Sequence, residues 1–231
     1  FDARPRQPDQ AVSGLERVVE EGAERPSGHR DHSRGIAPVS DRAGGPDALP
    51  AVAFEQVNDA ARAVRLTRSK AAEWKIDPKR IGIMGSSAGG HLTLMGATSS
   101  KRRSYAPIDD LDKLPCNVQW AVAIYPAYAL TDGAQSPNAK GGNEDDARLV
   151  PEFSFDLATC PILFIHGDAD GWAAMNSVKC WEQLRRMGIQ ADLHTLVGRG
   201  HCFQRQAAPE TGSYTWMGRI WEFMNHEGFN K

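Results

Sequence analysis

Four short apolar runs constrain this chain more than any other feature. Arg80–Gly85 (RIGIMG), Val118–Tyr125 (VQWAVAIY) and Pro161–His166 (PILFIH) are continuous rather than alternating, and each stops at Gly or Pro. They are too short for core helices and suit strands buried on both faces, as in parallel sheets. Ala191–Val197 (ADLHTLV) alternates as a fourth strand. Helical patterns lie around them. Val57–Trp74 lacks Gly and Pro, and Val57, Ala60, Ala61, Val64 and Ala71 share one face. Asp77-Pro78 is read as its stop. Gly89–Ser99 is read as helix. Ala174–Met187 carries a Met175, Val178, Trp181, Leu184 stripe and ends at Gly188. Ser213–His226 places Trp216, Ile220, Phe223 and Met224 on one side and Trp221 on another. Strands separated by helices imply βαβ units: an α/β fold with a mostly parallel sheet and helices on both faces. Ligands on such sheets sit at the carboxyl ends of the strands.

Composition narrows the function. A net charge of −2 with scattered Lys and Arg leaves no basic footprint for nucleic acid. No apolar run approaches the ~20 residues of a membrane helix. The chain length of 231 residues suits one sizeable domain. The first fifty residues stand apart: Phe1 is their only aromatic, and no Lys occurs before Lys70. Residues 1–50 are therefore expected to form a polar arm, disordered or truncated, ahead of a catalytic domain over 51–231. Phe1 at the start is read as the mark of a processed or truncated chain, with no signal peptide to identify. Cys116, Cys160, Cys180 and Cys202 form no CxxC pair and read as free thiols rather than a zinc site. Thr131–Asp146 and Lys101–Pro115 are polar, turn-rich stretches expected to shape a binding site.

Chemistry gathers at three strand ends. Gly85-Ser86-Ser87-Ala88-Gly89 fits G-x-S-x-G between a strand and a helix. A nucleophile raised above a sheet needs a sharp, strained turn, with small residues two before and two after it. Gly85 and Gly89 supply those, which places Ser87, rather than Ser86, at the tip. The helix start behind it offers the Ala88 N–H to a developing oxyanion. A dinucleotide loop is disfavoured because the G-x-G-x-x-G order is missing. The second cluster, His166-Gly167-Asp168-Ala169-Asp170-Gly171, holds two aspartates. Asp170 lies further into the loop and can orient a histidine, while Asp168 suits the turn itself. Gly171 comes too early for a calcium loop. The third, Gly198-Arg199-Gly200-His201, carries a loop histidine that can act as general base. The chain order Ser87, Asp170, His201 is that of α/β-hydrolases. His91 is read as a packed or supporting residue, and His166 and His194 fall inside strand patterns.

From about Pro50 to Phe229 the chain resembles bacterial esterases of the α/β-hydrolase fold, in the acetyl esterase/lipase branch often described as xylan or carbohydrate esterase-like. The residues carrying this are Asn58–Arg65, Ala71–Gly82, Gly85–Leu92, Ala123–Pro126, Asp170-Gly171, Leu184–Gly188 and Gly200-His201. The resemblance implies a serine hydrolase of short-chain carboxylic esters, with acetyl esters on carbohydrate such as xylan as the expected substrate. It implies Ser87 as nucleophile, His201 as base and Asp170 as orienting acid, with no metal or cofactor and a small-molecule or polysaccharide ester as the partner. A secreted or periplasmic location fits it. Three features depart from the family pattern. No His-Gly-Gly-Gly oxyanion loop is readable upstream, where Gly44-Gly45 is the nearest glycine pair. The strands expected before Val57 are also unreadable, so the amino-terminal strands are expected to be incomplete. Cys202 stands where the family often has Gly. The alternatives are a prolyl oligopeptidase-like peptidase, which shares the triad order but normally adds a propeller, and a non-catalytic relic lacking a full oxyanion hole.

Overall fold

A computed structural model describes residues 51–98, 105–131, 148–206 and 215–229. The arm over 1–50 and most of the Thr131–Asp146 loop lie outside the described residues.

Helix α1 (Ala51–Ser69) is followed by one further turn, α2 (Ala71–Trp74). The single helix expected over Val57–Trp74 is thus broken at Lys70, and it stops before Asp77-Pro78. Lys75 ends it in the left-handed region at φ 56°, where the Ile76 N–H donates to the Ala71 carbonyl. That is the usual glycine position at a helix C-terminus, here taken by lysine.

Strand β1 (Gly82–Ser86) leads into α3 (Ala88–Thr98), then β2 (Trp120–Ile124), β3 (Ile162–Gly167), α4 (Met175–Arg186), β4 (Ala191–Leu196) and α5 (Trp216–His226). The four strands among the described residues are parallel and lie in the order β1-β2-β3-β4. β2 and β3 are central and almost wholly buried. β1 is only half-buried, with Met84 53% exposed, which corrects the expectation of a buried strand. The cause is position: among the described strands it pairs with β2 alone.

Side chains alternate across the sheet and fill two cores. Ala121, Ala123, Ile162 and Phe164 meet Val64 of α1, Leu94 and Met95 of α3, and Cys180 and Leu184 of α4 on one face. Val122, Ile124, Leu163 and Ile165 meet Phe203 and Phe223 on the other, with Trp216, Ile220 and Met224 of α5 packed alongside. Trp221 faces solvent. Cys116, Cys160 and Cys180 are buried and outside any disulfide, and burial pushes the Cys160 thiol up to about 12. Helices therefore cover both faces, and the strand ends open on one edge where β1, β2, β3 and β4 all release loops.

Candidate active site

The turn after β1 is built by close packing. A side chain on Gly85 would place its Cβ 2.3 Å from the Gly89 carbonyl oxygen, and one on Gly90 would meet Pro126 Cα at 2.9 Å. At Gly89 there is open space. The small residue needed behind the turn is therefore Gly90, a correction to the expected role of Gly89: the helix touches β2 through its third residue, not its second. Gly85→Ala is expected to cost about 1–3 kcal/mol of stability through overpacking. Gly89→Ala should be neutral or gain up to about 1 kcal/mol, because glycine is unfavourable inside a helix. Thermal unfolding of the two variants checks this contrast.

Ser87 sits at the tip with φ 58°, a left-handed conformation that costs a non-glycine residue about 1–3 kcal/mol. Backbone bonds hold it there. Its N–H donates to the Ile124 carbonyl at 3.0 Å, and its own carbonyl accepts from the N–H groups of Gly90, His91 and Ala127. Ser86 keeps its place in the strand, paired with Ile124. Ala88 opens α3, where the first amides of a helix lack an intrahelical partner.

Ser87 Oγ lies 2.7 Å from His201 Nε2, and His201 Nδ1 lies 2.8 and 3.0 Å from the two oxygens of Asp170. A carboxylate only accepts, so Nδ1 carries the proton and donates to Asp170. Nε2 is then the lone pair that receives the Ser87 hydroxyl. The structure thus brings Ser87, His201 and Asp170 into one hydrogen-bonded chain across 114 and 31 residues. Asp168 is elsewhere: its carboxylate accepts from the Gly198 N–H and ties the β3 turn to the His201 loop. Gly167 allows that approach, since a Cβ there would lie 2.0 Å from the Arg199 carbonyl oxygen. Cys202, directly after the histidine, holds φ 60°, a conformation that glycine adopts without strain.

Asp170 is buried. Burial alone would raise its carboxyl, but hydrogen bonds from His166, the Trp172 N–H and His201 outweigh it and hold the group below its ordinary value. His166 is the participant that the sequence pattern concealed. Fully buried at the end of β3, it donates from Nε2 to the Trp172 carbonyl at 2.9 Å, with Nδ1 2.8 Å from Ser177 Oγ. The same Nε2 stands 3.5 Å from Asp170. The loop bearing the carboxylate is therefore pinned from both sides. His91 fulfils its supporting role, with Nδ1 3.3 Å from the Ala127 carbonyl and its ring against Phe153, and burial lowers its pKa. His194 pairs with Asp192 on β4, away from the site. Among the described residues no cluster of His, Cys, Asp and Glu could hold a metal ion.

The family model described as BD-FAE matches residues 47–183. Among solved structures, an acetyl ester-xyloside bifunctional hydrolase from Caldicellulosiruptor lactoaceticus is 25% identical with a TM-score of 0.62, over 75% of this chain and 66% of that one. A truncated carbohydrate esterase from gut microbiota is 22% identical with a TM-score of 0.57, over 78% and 72%. Thermogutta terrifontis esterase 2, phosphorylated by paraoxon, is 23% identical with a TM-score of 0.60, over 77% and 65%. The chain spans about two thirds of the length of the structures it matches. The last two share its fold. With the matched residues running from α1 through β1, the Ser87 turn, β2 and β3 into α4, the chain belongs to the BD-FAE family, an esterase family of the α/β-hydrolase fold.

Proposed function

We propose that this chain is a serine esterase that removes short acyl groups, acetyl above all, from carbohydrate esters. The observation that carries the reading is the hydrogen-bonded chain from Ser87 Oγ through His201 to Asp170. His201 Nε2 takes the Ser87 proton as Oγ attacks the ester carbonyl, and Asp170 balances the imidazolium that forms. The Ala88 N–H and the amino-terminal end of α3 face the resulting oxyanion. His201 returns the proton to the departing alcohol. Water, activated by the same nitrogen, then frees the acid and Ser87.

The carbohydrate half of the reading rests on two supports. Two of the similar structures are described as acting on acetyl ester-xylosides or as a carbohydrate esterase. Beside the triad, Tyr128 and Trp172 form an aromatic corner with centroids 4.7 Å apart at 57°. Tyr128 follows Ala127, whose N–H bonds the Ser87 carbonyl, and Trp172 donates its N–H to Asp170. Tyr128 is 47% exposed and held at φ 59°. Such a surface beside a nucleophile suits the apolar face of a sugar ring.

The test compares the protein with Ser87→Ala on short acyl esters and acetylated xylan. Hydrolysis by the wild type, its loss in the variant by a factor of about 10³ or more, and labelling of Ser87 by a fluorophosphonate are expected. Equal rates in the two proteins, or labelling that ignores Ser87, would sink the assignment.

A further inference from the structure

Tyr125 is a buried, ionisable side chain for which the reaction above has no use. It is the first residue beyond β2, only 2% exposed, and held at φ 33°, a conformation that L-residues rarely adopt. Its ring lies against the imidazole of His201, with centroids 4.7 Å apart and planes at 59°. On the far side it meets Phe203 edge-on at 5.1 Å. Its N–H donates to the Ile165 carbonyl of β3 at 2.7 Å. Its hydroxyl faces Ser86 at the end of β1 and Cys202 in the loop after β4. Placed at the end of β2, Tyr125 thus touches the ends of β1 and β3 and the loop that follows β4.

Packing alone does not account for this. A phenylalanine would fill the same space beside Phe203 without burying a hydroxyl, and an untwisted backbone would avoid the positive φ. The two neighbours that its hydroxyl meets are also informative. Ser86 precedes the strained Ser87, and Cys202, itself at φ 60°, follows His201. The phenol therefore bridges the flanks of the two groups whose separation decides proton transfer.

We infer that Tyr125 is a positioning residue: its ring holds the His201 imidazole at the Ser87 hydroxyl, and its hydroxyl ties the nucleophile turn to the histidine loop. This rests on the Ser87–His201 assignment above. The physics has two parts. A ring 4.7 Å from the imidazole centroid and tilted 59° to it restricts the rotamers that would swing Nε2 away from Oγ. The same ring stands within the ~6 Å over which an aromatic face attracts a cation, so it favours the imidazolium formed during acylation. Burial raises the Tyr125 pKa, so the phenol stays neutral and keeps its proton for hydrogen bonding.

The experiment pairs Tyr125→Phe with Tyr125→Leu and reads kcat, KM and the downfield imidazole proton resonance of His201 Nδ1–H. Tyr125→Leu is expected to lose kcat on the order of 10²-fold at unchanged KM, as for a group displaced by about 1 Å. Its Nδ1–H resonance should broaden or vanish. Tyr125→Phe restores the ring and should lie within about tenfold of wild-type kcat, keeping the resonance. Thermal unfolding establishes that both variants fold. Unchanged kcat and an unchanged resonance in folded Tyr125→Leu would overturn the inference, as would a loss confined to KM. Should the wild type hydrolyse no ester, the esterase reading fails while the resonance still decides the role of Tyr125.

Discussion

Asp170→Asn is expected to lower kcat by about 10⁴-fold while leaving KM close to its wild-type value. The wild-type carboxylate accepts from His201 Nδ1 with both oxygens and from the Trp172 N–H with one. An amide offers one acceptor and two donors. With its oxygen kept by the Trp172 N–H, its NH₂ faces Nδ1, and the imidazole answers by moving its proton to Nε2. Ser87 then faces a donor instead of a base. Steady-state kinetics on a short acyl ester measures the loss, and the downfield Nδ1–H resonance should disappear with it. Stability adds a second signature. The Asp170 carboxyl is held below its ordinary value, so its contribution is complete above the unfolded carboxylate pKa of about 3.9. That contribution is lost as the pH falls through the lower, folded value. The asparagine variant has no such proton to take up, so its melting temperature should drop less between neutral and acid pH.

Asp112→Ala should be a damaging change away from the site. Asp112 is 1% exposed in the short 3₁₀ turn Asp110–Lys113, and it receives Arg62 at 2.8 Å, the Ile108 N–H at 2.9 Å and the Tyr105 hydroxyl. Arg65, 5% exposed, stands 3.7 Å away and also donates to the Leu114 carbonyl at 2.9 Å. Removing the carboxylate leaves a buried guanidinium uncompensated beside α1. Thermal unfolding should show a clearly lower melting temperature for the variant than for the wild type. Arg62→Ala should cost less, since Arg62 is a quarter exposed and water can take over part of its role.

Much of the sheet was legible because its central strands are buried on both faces. VQWAVAIY and PILFIH cannot be amphipathic, and Gly and Pro punctuate them. RIGIMG reads the same way yet forms a half-exposed strand, because an apolar run does not record how many neighbours a strand has. Ser87, Asp170 and His201 were legible for a different reason. Each lies just beyond a strand, in a turn where glycines bring backbones together, and their chain order matches the catalytic order of α/β-hydrolases. His166 and Tyr125 were hidden because each ends an apolar run and reads as core. Their partners, Ser177, Trp172, Ser86 and Cys202, are set by which strand ends meet. The G-x-S-x-G pattern named Gly89, but packing against Pro126 falls on Gly90. The Arg62, Arg65 and Asp112 cluster links residues about fifty apart, and no local pattern announces it.

The strand order β1-β2-β3-β4 follows the order of synthesis. A growing chain emerging from the ribosome presents the serine first, with β1, and can pair β2 and β3 beside it. The aspartate arrives with the end of β3, and the histidine only after β4. A chain ending after α4 would carry Ser87 and Asp170 but nothing to move a proton between Ser87 and its ester. Chemical competence therefore waits for the histidine, which follows the last of the described strands.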